Sequence, residues 1–176
     1  MDCARPVLKD LAESSGESVH LGTLEEFEVV HLDAVVSGRL VATASRVGRR
    51  LPAHCTALGK VLLGCGDSAA REEYDRIIAR GSGLKRFTPA TITDRDKFFE
   101  HLRSVANQAF AVDLEECEAG LACVAAPIFD QSSSMVAAIS LSGPAFRLSE
   151  ERLHGEVVAQ VTAAAAQLSQ ALGHSI

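Results

Sequence analysis

The stretch DLEECEAGLACVAAPIFD (residues 113–130) and the one that follows it, MVAAISLSGPAFRLSEE (residues 135–151), decide the fold. Within them Leu121 to Phe129 and Met135 to Ser142 are dense in Ala, Val, Ile and Leu, and the polar segment Asp130 to Ser134 joins them as a turn. Phe110 to Asp113 adds a shorter strand ahead of the pair. So much apolar content on both parities suits strands near the centre of a sheet, covered on both faces. Ser149-Glu150-Glu151 then opens a long terminal helix with acids at its positive end. Leu153, Val157, Val161, Ala164/Ala165, Leu168 and Leu172 form one apolar stripe along it.

Working outward, the chain begins with a helix, because Pro6 suits a first turn, Val7/Leu8 and Leu11/Ala12 recur at helical spacing, and Gly16 offers a left-handed stop. Three short strands follow: Val19 and Leu21; Phe27 to Leu32; and Leu40 to Ala44, separated by turn formers such as Gly22 and Gly38. Thr56 is an N-cap ahead of a helix over Ala57 to Leu63, and a second helix starts near Ser68 with Ala70, Tyr74 and Ile77/Ile78 inward. Gly81 to Ile92 reads as an ordered loop, and Thr93-Asp94-Arg95-Asp96 as the capped start of a helix that buries Phe98/Phe99, Leu102 and Val105/Ala106. Strands in two groups of three, with helices between and at both ends, predict an α+β fold: one mainly antiparallel sheet with flanking helices.

Composition bounds the function. A chain of 176 residues, 47% apolar, can bury a core of its own as one domain. The formal charge of −6, without a dense Lys/Arg cluster, argues against nucleic-acid binding by this chain alone; the patch Arg46 to Arg50 is too short and reads as a loop paired with Glu25, Glu26 or Glu28. No segment supplies the ~20 apolar residues of a membrane span, and no signal peptide is legible, so the expectation is a soluble, cytoplasmic protein. Five irregularly spaced cysteines (Cys3, Cys55, Cys65, Cys117 and Cys123) suit reduced thiols.

Chemistry concentrates at a few places. The helix start near Thr56 to Gly59 presents free N–H groups and about half a positive charge, enough to receive a carboxylate without Arg or Lys, with the small Ala57 and Gly59 allowing close approach. Ser140 and Ser142, two apart, share a sheet face; turned toward a packed core, each hydroxyl needs a partner, whereas the opposite parity sends them to solvent. His54, Cys55, Asp113, Cys117 and Cys123 are all possible zinc ligands, but the Cys117-x5-Cys123 interval is not that of a zinc site, and no nucleophile motif surrounds Cys123. Lys60 reads as solvated or salt-bridged; His20, His31 and His101 as surface residues; Gly120 and Gly143 as turn glycines beside strands.

Together with LPAHCTALGKVLLG (residues 51–64), these segments are similar to the ligand-sensing C-terminal domain of IclR-type transcriptional regulators, with likeness running from Arg5-Pro6 to Leu172-Gly173. The resemblance implies a six-stranded GAF/PAS-like sheet. It also implies an N-terminal helix (residues 1–16) continuing from the linker of a DNA-binding domain, and an effector-binding domain over residues 17–176. Carried over residue by residue, Leu40 and Leu51 supply apolar walls; Thr56, Ala57 and Leu58 the helix end; Asp113 the acidic loop; Cys123, Ser140 and Ser142 the last two strands. The implied effector is a small carboxylate or aromatic catabolite; no cofactor or metal is implied, and the chain is not an enzyme. The implied assembly is a homodimer or homotetramer that meets DNA only through an N-terminal winged helix-turn-helix. Two departures stand out: Ala109-Phe110 replaces the usual Gly-Tyr pair, so the helix is expected to end at Asn107, and Leu58 is bulky. The alternatives are a small enzyme using Cys123 or Asp113 in the same cavity, and a GAF-like dimerisation module without ligand.

Overall fold

Two long strands, β5 (Leu121–Phe129) and β6 (Met135–Pro144), form the widest antiparallel ladder of the computed structural model, which describes residues 4–81 and 83–175. Cys3, counted above among the thiols, and Ser82 of the expected loop lie outside the described residues. β1 (Ser18–Glu25) pairs on the free side of β6, β2 (Glu28–Val35) on β1 and β3 (Arg50–Pro52) on β2, while β4 (Ala111–Leu114) closes the far edge beside β5. The order is β3-β2-β1-β6-β5-β4, antiparallel throughout. This is the predicted α+β, six-stranded architecture.

Parity along the strands divides the core in two. Val19, Leu21, Val124, Ala126, Ile139 and Leu141 face α1 (Ala4–Ser15) and the C-terminal helix. Val29, Ala111, Ala125 and Ala138 face α2 (Ala57–Gly64), α3 (Ser68–Arg80) and α4 (Arg95–Gln108). The C-terminal helix runs as α5 (Glu150–Arg152), a π-helical turn (Leu153–Val157) and α6 (Val158–Ala171), capped by Ser149, whose hydroxyl accepts from the Arg152 amide. Leu153, Val157, Val161 and Ala165 are four apart and all buried. The wider π turn offsets the drift that a strict four-residue spacing builds up along an α-helix.

Four expectations are corrected. The third strand is Arg50–Pro52, not Leu40 to Ala44. Beyond Val30, β2 stays paired with β1 on one edge, while on its other edge it meets a turn, with the His31 amide donating to Arg49 O and the Gly48 amide to His31 O, so residues 36–49 leave the sheet. α4 ends at Gln108 rather than Asn107, because Ala109 itself adopts the left-handed conformation (φ 57°, ψ 32°) and its amide closes on Val105 O. Gly143 lies within β6, where a Cβ would stand 2.5 Å from the buried carboxylate of Glu17, so its role is close packing. Gly59 likewise serves helix seating: a Cβ there would stand 2.2 Å from Ala53 O.

Candidate effector cavity

The elements of the second core face enclose a cavity of about 40 Å³ under the N-terminal end of α2. Thr56 caps that helix, its hydroxyl accepting from the Gly59 amide at 3.2 Å and donating to Pro52 O at 3.0 Å. The Ala57 and Leu58 amides donate to no acceptor among the described residues. Thr56, Ala57 and Leu58 all line the cavity, so two donors at the positive end of the helix border it.

The sheet supplies the floor. In register across the strands, His20 faces Ser140, and Ser142 stands between Ser18 and Cys123, which in turn faces Asp113. Ser140 and Ser142 are 4% and 5% exposed and turn inward, which resolves the choice of parity left open by alternation. Ser142 is paired at 3.0 Å with the hydroxyl of Thr43. Leu51 completes the wall from β3.

An ionic cluster braces the acidic loop behind the cavity. Lys60, fully buried, donates to Val112 O and to Glu116 Oε1, each at 2.5 Å; of the two roles foreseen for it, solvated or salt-bridged, it has the second. The Glu116 amide donates to Asp113 Oδ1 at 2.8 Å, and the Thr88 and Thr91 hydroxyls donate to the Glu115 and Glu116 carbonyls at 2.6 and 2.7 Å. Burial pushes the Asp113 carboxyl up to about 7 against the pull of Lys60. Burial also raises Glu116.

Of the nine residues carried over from the resemblance, eight (Leu51, Thr56, Ala57, Leu58, Asp113, Cys123, Ser140 and Ser142) meet at this one cavity. Leu40 does not: it is fully exposed on the segment that left the sheet. The cavity also gathers His20, His31, Arg46, Cys117 and Leu121. His20 and His31 are 3% and 5% exposed, contrary to the surface placement expected of them. A register shift between Leu21 and Gly22 turns His31 onto the cavity side, and a bulge of that kind leaves no mark in sequence alternation. Arg46 pairs with Glu118 at 2.6 Å, whereas Arg50 makes the expected contacts with Glu25, Glu26 and Glu28.

The Cys117 thiol is lowered from its ordinary value by a hydrogen bond with Cys55, whose own thiol is raised by the same contact and by burial. The Cys123 thiol is raised well above its ordinary value by burial and by Asp113, and the His54 ring is bonded through Nε2 to Lys85 O at 2.8 Å. Cys55, Cys65, Cys117 and Cys123 are free thiols. Among the described residues, no group of three or more His, Cys, Asp and Glu is arranged to hold a metal ion. No helix there is long and apolar enough to cross a membrane.

Comparison with known proteins agrees with this geometry. Residues 1–170 match the family model described as bacterial transcriptional regulator IclR C-terminal. The chain is 38% identical over 167 residues to the HTH-type transcriptional regulator KdgR of Escherichia coli (strain K12), covering 95% of this chain and 62% of that protein. It thus spans about three fifths of that relative's length. Among solved structures it superposes on the Thermotoga maritima IclR with a TM-score of 0.88 at 34% identity, over 98% of this chain and 68% of that one. It also superposes on a double mutant of the PobR transcription factor inducer binding domain from Acinetobacter, in complex with 3-hydroxybenzoic acid, with a TM-score of 0.84 at 29% identity over 96% of each chain. With its six-stranded sheet, its capped α2 and a match over nearly its whole length, the chain belongs to the C-terminal domain family of IclR-type bacterial transcriptional regulators.

Proposed function

We propose that this chain is the effector-sensing part of a transcriptional regulator: a small organic acid docks with its carboxylate on the Ala57 and Leu58 amides and its body over Ser140, Ser142 and Cys123. One observation carries the proposal, namely that two amides at a helix N-terminus, unpaired among the described residues, border a cavity floored by inward serine hydroxyls. Such an end binds anions without a formal positive charge. The 3-hydroxybenzoic acid complex of the PobR domain supports the ligand class, and the HTH-type names of the relatives support a DNA-reading half elsewhere in the full protein.

In this reading α1, packed against the C-terminal helix, continues toward that DNA-reading half, and residues 17–176 form the sensing domain. The effector acts by binding two arrangements of a cytoplasmic homodimer or homotetramer with different affinity, which is what turns binding into regulation. Thermal unfolding with short carboxylic acids tests it. A ligand at a hundredfold excess over its dissociation constant stabilises the fold by about 2.7 kcal/mol, a rise of several degrees in Tm, and is recovered chemically unchanged. Turnover of the acid, or Tm shifts that survive Ser140→Ala with Ser142→Ala undiminished, would contradict the proposal.

A further inference from the structure

His20 and His31 are nine-tenths or more buried beside the same cavity, with His20 Nδ1, His20 Nε2 and His31 Nδ1 all lacking a hydrogen-bond partner among the described residues. Their rings meet edge to face at 5.6 Å. An unpaired buried donor or acceptor costs about 1–3 kcal/mol, so three such atoms side by side are hard to explain as packing. The bulge between Leu21 and Gly22 matters here. With the register of His20 opposite Ala34 continued, His31 would fall on the other sheet face; the shift puts it opposite Gly22, on the face of His20.

We infer that His20 and His31 are specificity residues for a hydroxyl group on the effector, so that the ligand is a hydroxy acid rather than an acid without a hydroxyl. The inference rests on the carboxylate docking proposed above and deepens it. A neutral imidazole presents one N–H donor and one bare acceptor, and a hydroxyl offers the complementary acceptor and donor. Both rings are held neutral: burial, then His31 and Arg46, brings His20 down to about 3, and burial lowers His31.

The test is calorimetric titration of the protein with butyrate, with 2-, 3- and 4-hydroxybutyrate, and with 3-hydroxybenzoate, repeated on His20→Phe and His31→Phe. These variants keep an aromatic ring and lose the hydrogen bonds. At least one hydroxybutyrate is expected to bind roughly 10- to 100-fold more tightly than butyrate, and His20→Phe to bring the hydroxybutyrate to butyrate ratio within about twofold. Butyrate binding as well as every hydroxybutyrate, or a preference that persists in both variants, overturns the inference and leaves the carboxylate site standing. Failure of all five acids to bind the unaltered protein overturns the inference and removes the docking proposal as well. The comparison among acids on the unaltered protein does not depend on whether either variant folds.

Discussion

Lys60 Nζ and Glu116 Oε1 stand 2.5 Å apart in a part of the molecule where the lysine has no solvent exposure at all. A lysine so placed is stable only because Glu116 and the Val112 carbonyl take its donors. The pair ties the buried face of α2 to the loop that follows β4, and so fixes Asp113 relative to the helix end.

Lys60→Met therefore destabilises the fold by about 3–5 kcal/mol, since it leaves the Glu116 carboxylate buried without a counter-charge. The urea midpoint measures this. Lys60→Met combined with Glu116→Leu recovers a large part of the loss, because apolar groups of similar volume replace the whole pair. A double variant no better than the single one would show that the two side chains do not act as a pair.

Asp113 makes stability depend on pH. Its carboxyl titrates at about 7 in the folded state, against about 3.9 when unfolded. Between those values the folded state holds more protons, so the contribution of this group is full below pH ~4 and is lost as pH rises to ~7. Asp113→Asn removes that dependence. The stability of the variant relative to the parent accordingly climbs between pH ~4 and ~7, by at most roughly 1.4 kcal/mol per pH unit, and levels off above. Denaturant melts over that range check the sign. His20, lowered by burial, titrates in the opposite sense, but it is common to both proteins and cancels in the difference.

Ala109 occupies the left-handed region with φ 57°. Ala109→Gly relieves the Cβ strain there and loses part of that gain to the greater freedom of the unfolded chain, for a net stabilisation of about 0.5–1 kcal/mol. A Tm unchanged or lowered would contradict the assignment of this residue as the helix stop.

Gly59→Ala acts in the other direction. The added methyl would stand 2.2 Å from Ala53 O and 2.3 Å from Ala53 Cα, both backbone atoms, so α2 must move off the preceding loop. The expected loss is about 3 kcal/mol, with weakened acid binding because the Ala57 and Leu58 amides move too. Melting and calorimetry on one preparation test both effects.

The dense apolar runs of β5 and β6, the Thr56 cap and the Asp94 cap were all legible in the sequence because each rests on local chemistry: strand-forming apolar residues bounded by a polar turn, or a short polar group bonding an amide two or three residues on. The Asp94 carboxylate takes the Lys97 amide at 2.9 Å as such a cap should. Leu40 misled because an apolar stretch beside glycine looks like a strand whether or not a sheet edge is free to pair with it, and β2 pairs there with a turn instead. His20 and His31 escaped notice because their burial depends on a single bulge and on α2 lying over them. Glu17, with no exposure and bound by both carboxylate oxygens to Arg147 at 2.7 Å, escaped for a similar reason: its partner is 130 residues away. Long-range pairing and register decided what local pattern could not.

The most direct measurement is the 15N–1H spectrum of the protein titrated with butyrate, the hydroxybutyrates and 3-hydroxybenzoate. The account predicts saturable shifts centred on the Ala57 and Leu58 amides and extending to Ser140, Ser142 and His20. Shifts confined to another surface, such as the open groove between Arg86 and Ser104, with the Ala57 and Leu58 amides unmoved at saturation, would contradict it.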